Sequence, residues 1–323
     1  MKHLKLDRRE FCARLTAMLA VSGLPNGATP RDTRGFQLRY IVGSSMYGRM
    51  SLSDVLPEVR RAGAEHIDIW PENHANHREQ IEAMEHEQFA AMLRQYQVKL
   101  GILTHFDLGP FDLESEMQVA RKLGGSMIIT GSRGPGNVEG SALKAAVRDF
   151  IEKMKPHVAA AEREGITIGI ENHANSLIAS PDSIRWLAEF TPSRYLGIAL
   201  APYHLPQDPI SIGGLIADIG DRLVHFYAWQ YGMGCQKKLP KQQELMQLPG
   251  RGPMDFTPIA AALKKVNYRG WTEVFMHPVP RGIPILPTAA EVTAQINDAR
   301  KYLDQCLAKE ADSTDVEGRR RAI

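Results

Sequence analysis

The sequence predicts a single-domain α/β protein, a closed (β/α)8 barrel of eight parallel strands, each followed by a helix. Three observations predict it. After residue 35, short apolar runs alternate with longer amphipathic ones, the pattern of repeated βα units. Eight such units fit into about 275 residues, the usual size of this barrel. The stretch after the first strand, Gly43-Ser-Ser-Met-Tyr-Gly48, does not match the GxGxxG turn that an open nucleotide-binding sheet would place there.

Each element follows in order. Phe36 to Val42 reads as the first strand and Leu52 to Arg61 as its helix. Ala62-Gly63-Ala64 leads into strand two, Glu65 to Trp70, and His77 to Tyr96 reads as one long helix. Val98 to Thr104 is strand three. The helix Leu113 to Leu123 is closed by Gly124-Gly125, and Ser126 to Thr130 is strand four. Gly131 to Asn137 is a loop by composition. The helix Ser141 to Glu164 stops at Gly165, and Ile166 to Glu171 is strand five. Pro181 to Phe190 is a helix with Ser180 or Asp182 near its cap. Strand six is Tyr195 to Leu200, followed by the helix Ile210 to Ile219, and strand seven is Leu223 to Tyr227. A long loop, Ala228 to Asp255, precedes the helix Phe256 to Val266; Trp271 to Phe275 is strand eight and Ala289 to Leu307 the last helix. The barrel is thereby expected over residues 35–308, with no linker that would split it.

The ends differ from the barrel. Arg8-Arg9 followed by Phe11, an apolar stretch Leu15 to Leu24 and a polar stretch Pro25 to Arg34 resemble a twin-arginine export signal and linker over residues 1–34. The apolar stretch is too short to span a bilayer. Asp7 stands where such signals usually carry Ser or Thr, and Asn26-Gly27-Ala28 is the nearest candidate cleavage site. The expected location is periplasmic, or cytoplasmic if the segment is only a basic arm. The charged residues 309–323 read as a disordered tail.

Composition excludes some partners. A net charge of +2 on 323 residues, with no basic cluster before the C-terminal arginines, gives no footprint for nucleic acid. The three cysteines, Cys12, Cys235 and Cys306, form no CxxC pair, and Cys235 and Cys306 are read as free thiols.

In barrels of this class, polar residues at the C-terminal strand ends are the candidates for function. Those ends carry Trp70-Pro-Glu-Asn-His74, Thr104-His105-Phe-Asp107, Glu171-Asn-His173, Ala201-Pro-Tyr-His204, His225 with Trp229 and Gln230, and Glu273 with His277. One such His is more often a hydrogen-bonded core residue than a ligand. Six strand ends carrying His or Glu point to a site, because acids and imidazoles are costly to bury together without a partner. Carboxylate and imidazole donors suit Mn, Fe, Co or Zn.

Strands five to eight resemble the xylose isomerase-like TIM barrel superfamily, the sugar phosphate isomerase/epimerase group that also contains endonuclease IV. The resemblance rests on Ile168-Gly-Ile-Glu-Asn-His173, Val224-His225, Gly270-Trp-Thr-Glu273 and the loop Leu248-Pro-Gly-Arg-Gly-Pro-Met-Asp-Phe256, and covers roughly residues 36 to 308. It implies a divalent metal ion held by Glu171, His225 and Glu273. The family's acidic ligand after strand six is replaced by Ala201. Three outcomes stay open: Glu171, His225 and Glu273 hold the ion with waters, His204 joins them as a fourth ligand, or metal binding is lost.

The resemblance further implies a sugar isomerase or epimerase in which Glu171 and Glu273 flank the substrate carbon. One removes a proton next to a carbonyl and the other returns it on the opposite face, while the metal stabilises the enediolate. His204, His105, His173, Trp70 and Trp229 are expected to contact substrate; the two tryptophans suit simple packing at the barrel mouth nearly as well. The superfamily also hosts lyases and hydrolases of oxidised glycosides, and a sugar-binding barrel without turnover is the alternative that Ala201 supports. A nuclease is disfavoured by the missing acid and the absence of a basic face. The expected partner is a small carbohydrate, with neither nucleic acid nor a stable membrane span and with room for a homo-oligomer.

Overall fold

Strands such as Leu196–Leu200 are buried along their whole length, as parallel strands must be when helices cover one face and facing strands the other. The computed structural model describes residues 35–191 and 193–320, with side chains to residue 309. The strands are β1 (Arg39–Gly43), β2 (His66–Ile69), β3 (Lys99–Thr104), β4 (Met127–Gly131), β5 (Thr167–Glu171), β6 (Leu196–Leu200), β7 (Leu223–Ala228) and β8 (Trp271–Val274). Each pairs in parallel with the next, and β8 pairs with β1, closing the barrel. The predicted (β/α)8 fold is the observed one. The export segment predicted at 1–34 lies outside the described residues.

The outer helices are α1 (Leu52–Arg61), α2 (His77–Ala83), α3 (His86–Tyr96), α4 (Glu114–Lys122), α5 (Gly140–Glu164), α6 (Pro181–Phe190), α7 (Pro209–Ile219), α8 (Lys241–Glu244), α9 (Thr257–Lys265) and α10 (Ala289–Arg320). Their starts are chemically marked. The Ser51 side chain accepts from Asp54 N at α1, and Ser180 and Ser183 form a reciprocal cap at α6. Asp208 accepts from Ile210 N ahead of Pro209 at α7.

Three boundaries depart from the sequence reading. The single helix expected over His77 to Tyr96 is two helices, broken at Met84-Glu85, both extended. Ile81, Phe89 and Leu93 are buried, and in an unbroken helix Glu85 would fall on that same stripe. The break leaves Glu85 exposed. The last helix continues to Arg320 through a stretch expected to be a disordered tail; no proline interrupts it. The loop expected over Ala228 to Asp255 holds α8 and a 3-10 turn, Leu245–Gln247, and packs back on the barrel mouth through buried Leu245, Gln247 and Leu248. Among the described residues no helix is long and apolar enough to cross a membrane. Cys235 and Cys306 are free and buried.

Candidate active site

The C-terminal ends of β2, β5, β7 and β8 bring Asp68, Glu171, His225, Tyr227 and Glu273 together inside the mouth, all of them buried. Register places them: Glu171 lies beside Ala199, which lies beside His225, and Tyr227 lies beside Glu273. On the other side of Glu273, β1 offers Gly43. A Cβ there would sit 2.0 Å from Glu273 Oε1, so the strand carries no side chain where the carboxyl stands.

Burial dominates the electrostatics. It pushes Glu171 up to about 8; the Arg281 charge opposes the shift and Asp68 adds to it. Glu273 is pushed well up by burial, by its contact with Asp68 and by Glu171. Burial raises Asp68 as well, although Asp68 Oδ2 accepts from Thr104 Oγ1 at 2.7 Å and Trp70 Nε1 at 2.8 Å. The Tyr227 hydroxyl is driven up by burial and then by all three carboxyls. Burial pushes His225 down to about 3, so its ring is neutral at ordinary pH. His225 Nε2 lies 3.4 Å from Glu273 Oε2. The turn after β6 sets His204 Nε2 3.8 Å from Glu171 Oε1, and burial, His173 and Arg281 lower His204 to about 3.

The other expected contact residues divide. His173 lies beside His204, ring centroids 4.1 Å apart and tilted by 45°, at the exposed rim of the mouth. Trp70 is buried, lies 5.1 Å from Phe275 in a stacked arrangement, and spends its N–H on Asp68. Trp229 is buried, stacks on Tyr203 at 4.0 Å and donates Nε1 to Gln247 Oε1 at 3.0 Å. Both tryptophans build the wall with their polar tips already engaged.

His105 does not join them. Thr104 points inward to Asp68, so the next residue of the strand points out. His105 Nδ1 lies 3.4 Å from Glu116 Oε1 on α4. Glu116 also takes two bonds from Arg78. Burial acts to raise Glu116, but His105 and Arg78 hold it down at about 2. The structure sets His105 beside the Arg78–Glu116 ion pair, between β3 and the helices.

Sequence reasoning missed Asp68, Tyr227 and Arg281. Asp68 carried a readable signal, an acid between two isoleucines in a strand of a closed barrel. Arg281 sits beyond the last strand among Pro and Gly and carried none. Its Nη2 donates to Cys235 Sγ at 3.4 Å, and its charge reaches Glu171, His204 and His74.

The donor set can be tested against a metal ion. His204 Nε2, both ring nitrogens of His225, Asp68 Oδ1 and both oxygens of Glu273 are buried without a hydrogen-bond partner. These are the donor types that Mn, Fe, Co or Zn take. They stand as two pairs, His225 with Glu273 and His204 with Glu171. Among the described residues no group of three or more His, Cys, Asp and Glu converges as a ready metal cluster. Ala201 adds no donor; its backbone is clamped by the Asn172 amide, at 2.7 Å and 3.1 Å.

No curated protein matches the chain in sequence. Solved structures do match in fold. A zinc-binding IOLI protein aligns with TM-score 0.64 and 14% identity, covering 84% of this chain and 99% of that one. A D-psicose 3-epimerase from Clostridium cellulolyticum H10, solved with D-tagatose, gives 0.61 and 14%, covering 84% and 99%. The probable 3-DHS dehydratase AsbF of Bacillus anthracis gives 0.59 and 13%, covering 80% and 97%. A family model described as xylose isomerase-like TIM barrel matches residues 56–305. The chain belongs to the xylose isomerase-like TIM barrel family.

Proposed function

We propose that the protein is a sugar isomerase or epimerase that moves a proton next to the carbonyl of a keto-sugar. The observation that carries this is the pair Glu171 and Glu273. Both are buried at the mouth, and burial shifts both upward. Two buried carboxyls at one mouth supply a base and an acid when one is ionised and the other protonated. Glu171 takes the proton from carbon as carboxylate, the electron pair moves onto the carbonyl oxygen, and the protonated Glu273 returns a proton from its side. Neutral His204 and His225 orient the two carboxyls, and Trp70, Tyr203 and Trp229 keep bulk water from the reacting carbon.

The same donors suit a divalent ion, Mn, Fe, Co or Zn, at Glu171, His204, His225 and Glu273. Such an ion, when bound, supplies positive charge that polarises the carbonyl.

Elimination from an oxidised glycoside is the second reading. It begins with the same proton abstraction, and a protonated Glu273 is placed to assist a leaving group. A small carbohydrate is the proposed partner in either case, and export through the twin-arginine segment places the protein in the periplasm, which cell fractionation tests.

The functional test is deuterium exchange. Ketoses incubated with full-length protein in D2O are expected to gain deuterium next to the carbonyl and to yield the epimer or isomer, read by NMR. Glu171→Gln and Glu273→Gln are expected to stop this while leaving the circular dichroism unchanged. A conjugated product in place of an epimer selects elimination. Binding without exchange in the unmodified protein leaves only a sugar-binding barrel.

A further inference from the structure

We propose that Arg281 is a substrate-binding residue that takes the carboxylate of an acidic sugar, so that the preferred substrate is a keto-sugar acid. The inference deepens the reading of the site given above and rests on it. Arg281 lies in the loop between β8 and α10. Its Nη1 is buried and has no hydrogen-bond partner among the described residues. Its Nη2 is tied to Cys235 Sγ at 3.4 Å, and Cys235 is tied in turn to the Tyr203 hydroxyl, with N and Sγ each 3.1 Å from it. Tyr203 stacks on Trp229 and adjoins His204. The guanidinium is therefore fixed to the wall of the mouth through Nη2, with the buried Nη1 left unsatisfied. Through Cys235 and Tyr203 it adjoins His204, whose Nε2 lies 3.8 Å from Glu171 Oε1, and its charge acts to lower both groups.

A partly buried guanidinium without an anion is an unstable arrangement. No acidic side chain among the described residues forms an ion pair with Arg281, whereas Arg49 and Arg78 at the same end of the barrel are paired with Glu72 and Glu116. The unfilled donor on Nη1 matches one oxygen of a carboxylate, and the planar fork favours that group. A phosphate fits less well. It brings close to two negative charges to a mouth with three carboxyls, and a single open guanidinium offsets only one.

The test uses four compounds built on one carbon skeleton: D-fructose, its two acids 2-keto-D-gluconate and D-fructuronate, and D-fructose 6-phosphate. Calorimetry on full-length protein is expected to show one of the acids binding at least about tenfold tighter than fructose. Arg281→Gln is expected to erase that preference while leaving fructose binding within about twofold, and Arg281→Lys to restore part of it. Equal binding of fructose and both acids by the unmodified protein overturns the proposal and needs no variant. So does preference for the phosphate, failure of both acids to bind, or an equal loss for acid and neutral sugar in Arg281→Gln, which would put the guanidinium on the reacting oxygen instead. Deuterium exchange on the same compounds separates the two levels. An acid bound through Arg281 without exchange removes the isomerase reading alone, and exchange with no preference for acids removes this inference alone.

Discussion

Nε2 of His225 lies 3.4 Å from Oε2 of Glu273, and neither atom has a hydrogen-bond partner although both residues are fully buried. A neutral imidazole beside a carboxyl whose ionisation is suppressed can share a proton or a cation with it. The pair therefore sits ready for either, and the two possibilities are separable in the laboratory.

The pH dependence of exchange is expected to follow Glu171. A carboxyl raised to about 8 must lose its proton before it can act as base, so exchange is expected to rise with pH through about 8 and level off above it. In Glu171→Gln the rate is expected to fall by at least about a hundredfold, with no remaining rise across that range. An unchanged profile in the variant would assign the titration elsewhere.

Asp68→Asn removes the charge that helps raise both Glu171 and Glu273. The rising limb of the profile is expected to move to lower pH, by at most about one unit. Movement to higher pH would mean that Asp68 does not oppose ionisation of its neighbours.

Purified full-length protein is expected to carry ~1 equivalent of Mn, Fe, Co or Zn by elemental analysis, and the Glu171→Gln, Glu273→Gln double variant to carry none. No metal in the unmodified protein, even after soaking, would leave the orphaned donors of His225 and Glu273 to proton exchange alone.

Gln247 is buried and serves four groups: Trp229 Nε1 at 3.0 Å, His277 N at 3.2 Å, His277 O at 2.9 Å and Glu244 O at 3.1 Å. Gln247→Ala leaves these unsatisfied and is expected to lower stability by about 2–4 kcal/mol in a urea titration. Loss of activity at temperatures where the fold survives would further show that the 228–255 segment holds the mouth in shape.

The barrel was legible because its eight apolar runs alternate with amphipathic ones, and an all-round apolar strand such as Leu196–Leu200 has few other homes. Glu171, His204, His225 and Glu273 were legible because strand ends are where such folds keep chemistry. The signal at Asp68 was passed over, because an acid in an alternating run reads as a solvent-facing position until the strand is known to line a closed interior. The placement of His105 was hidden for the complementary reason: strand parity turns it outward once Thr104 faces in. The break at Met84-Glu85 has neither Gly nor Pro to mark it. It answers to tertiary burial of Ile81 and Phe89, which local pattern does not encode.

Gly43 has an ordinary extended backbone, with φ of −75°, so nothing in its conformation asks for glycine. What asks for it is a carboxyl belonging to the far end of the chain, whose oxygen would lie 2.0 Å from any methyl placed there. The first strand thus acts as a mould, shaping the reactive centre by the atoms it withholds. A saturation screen is expected to find a position with no functional group that nonetheless behaves as intolerant as an acid–base residue, and Gly43→Ala is the smallest edit that displaces Glu273 without altering a single charge.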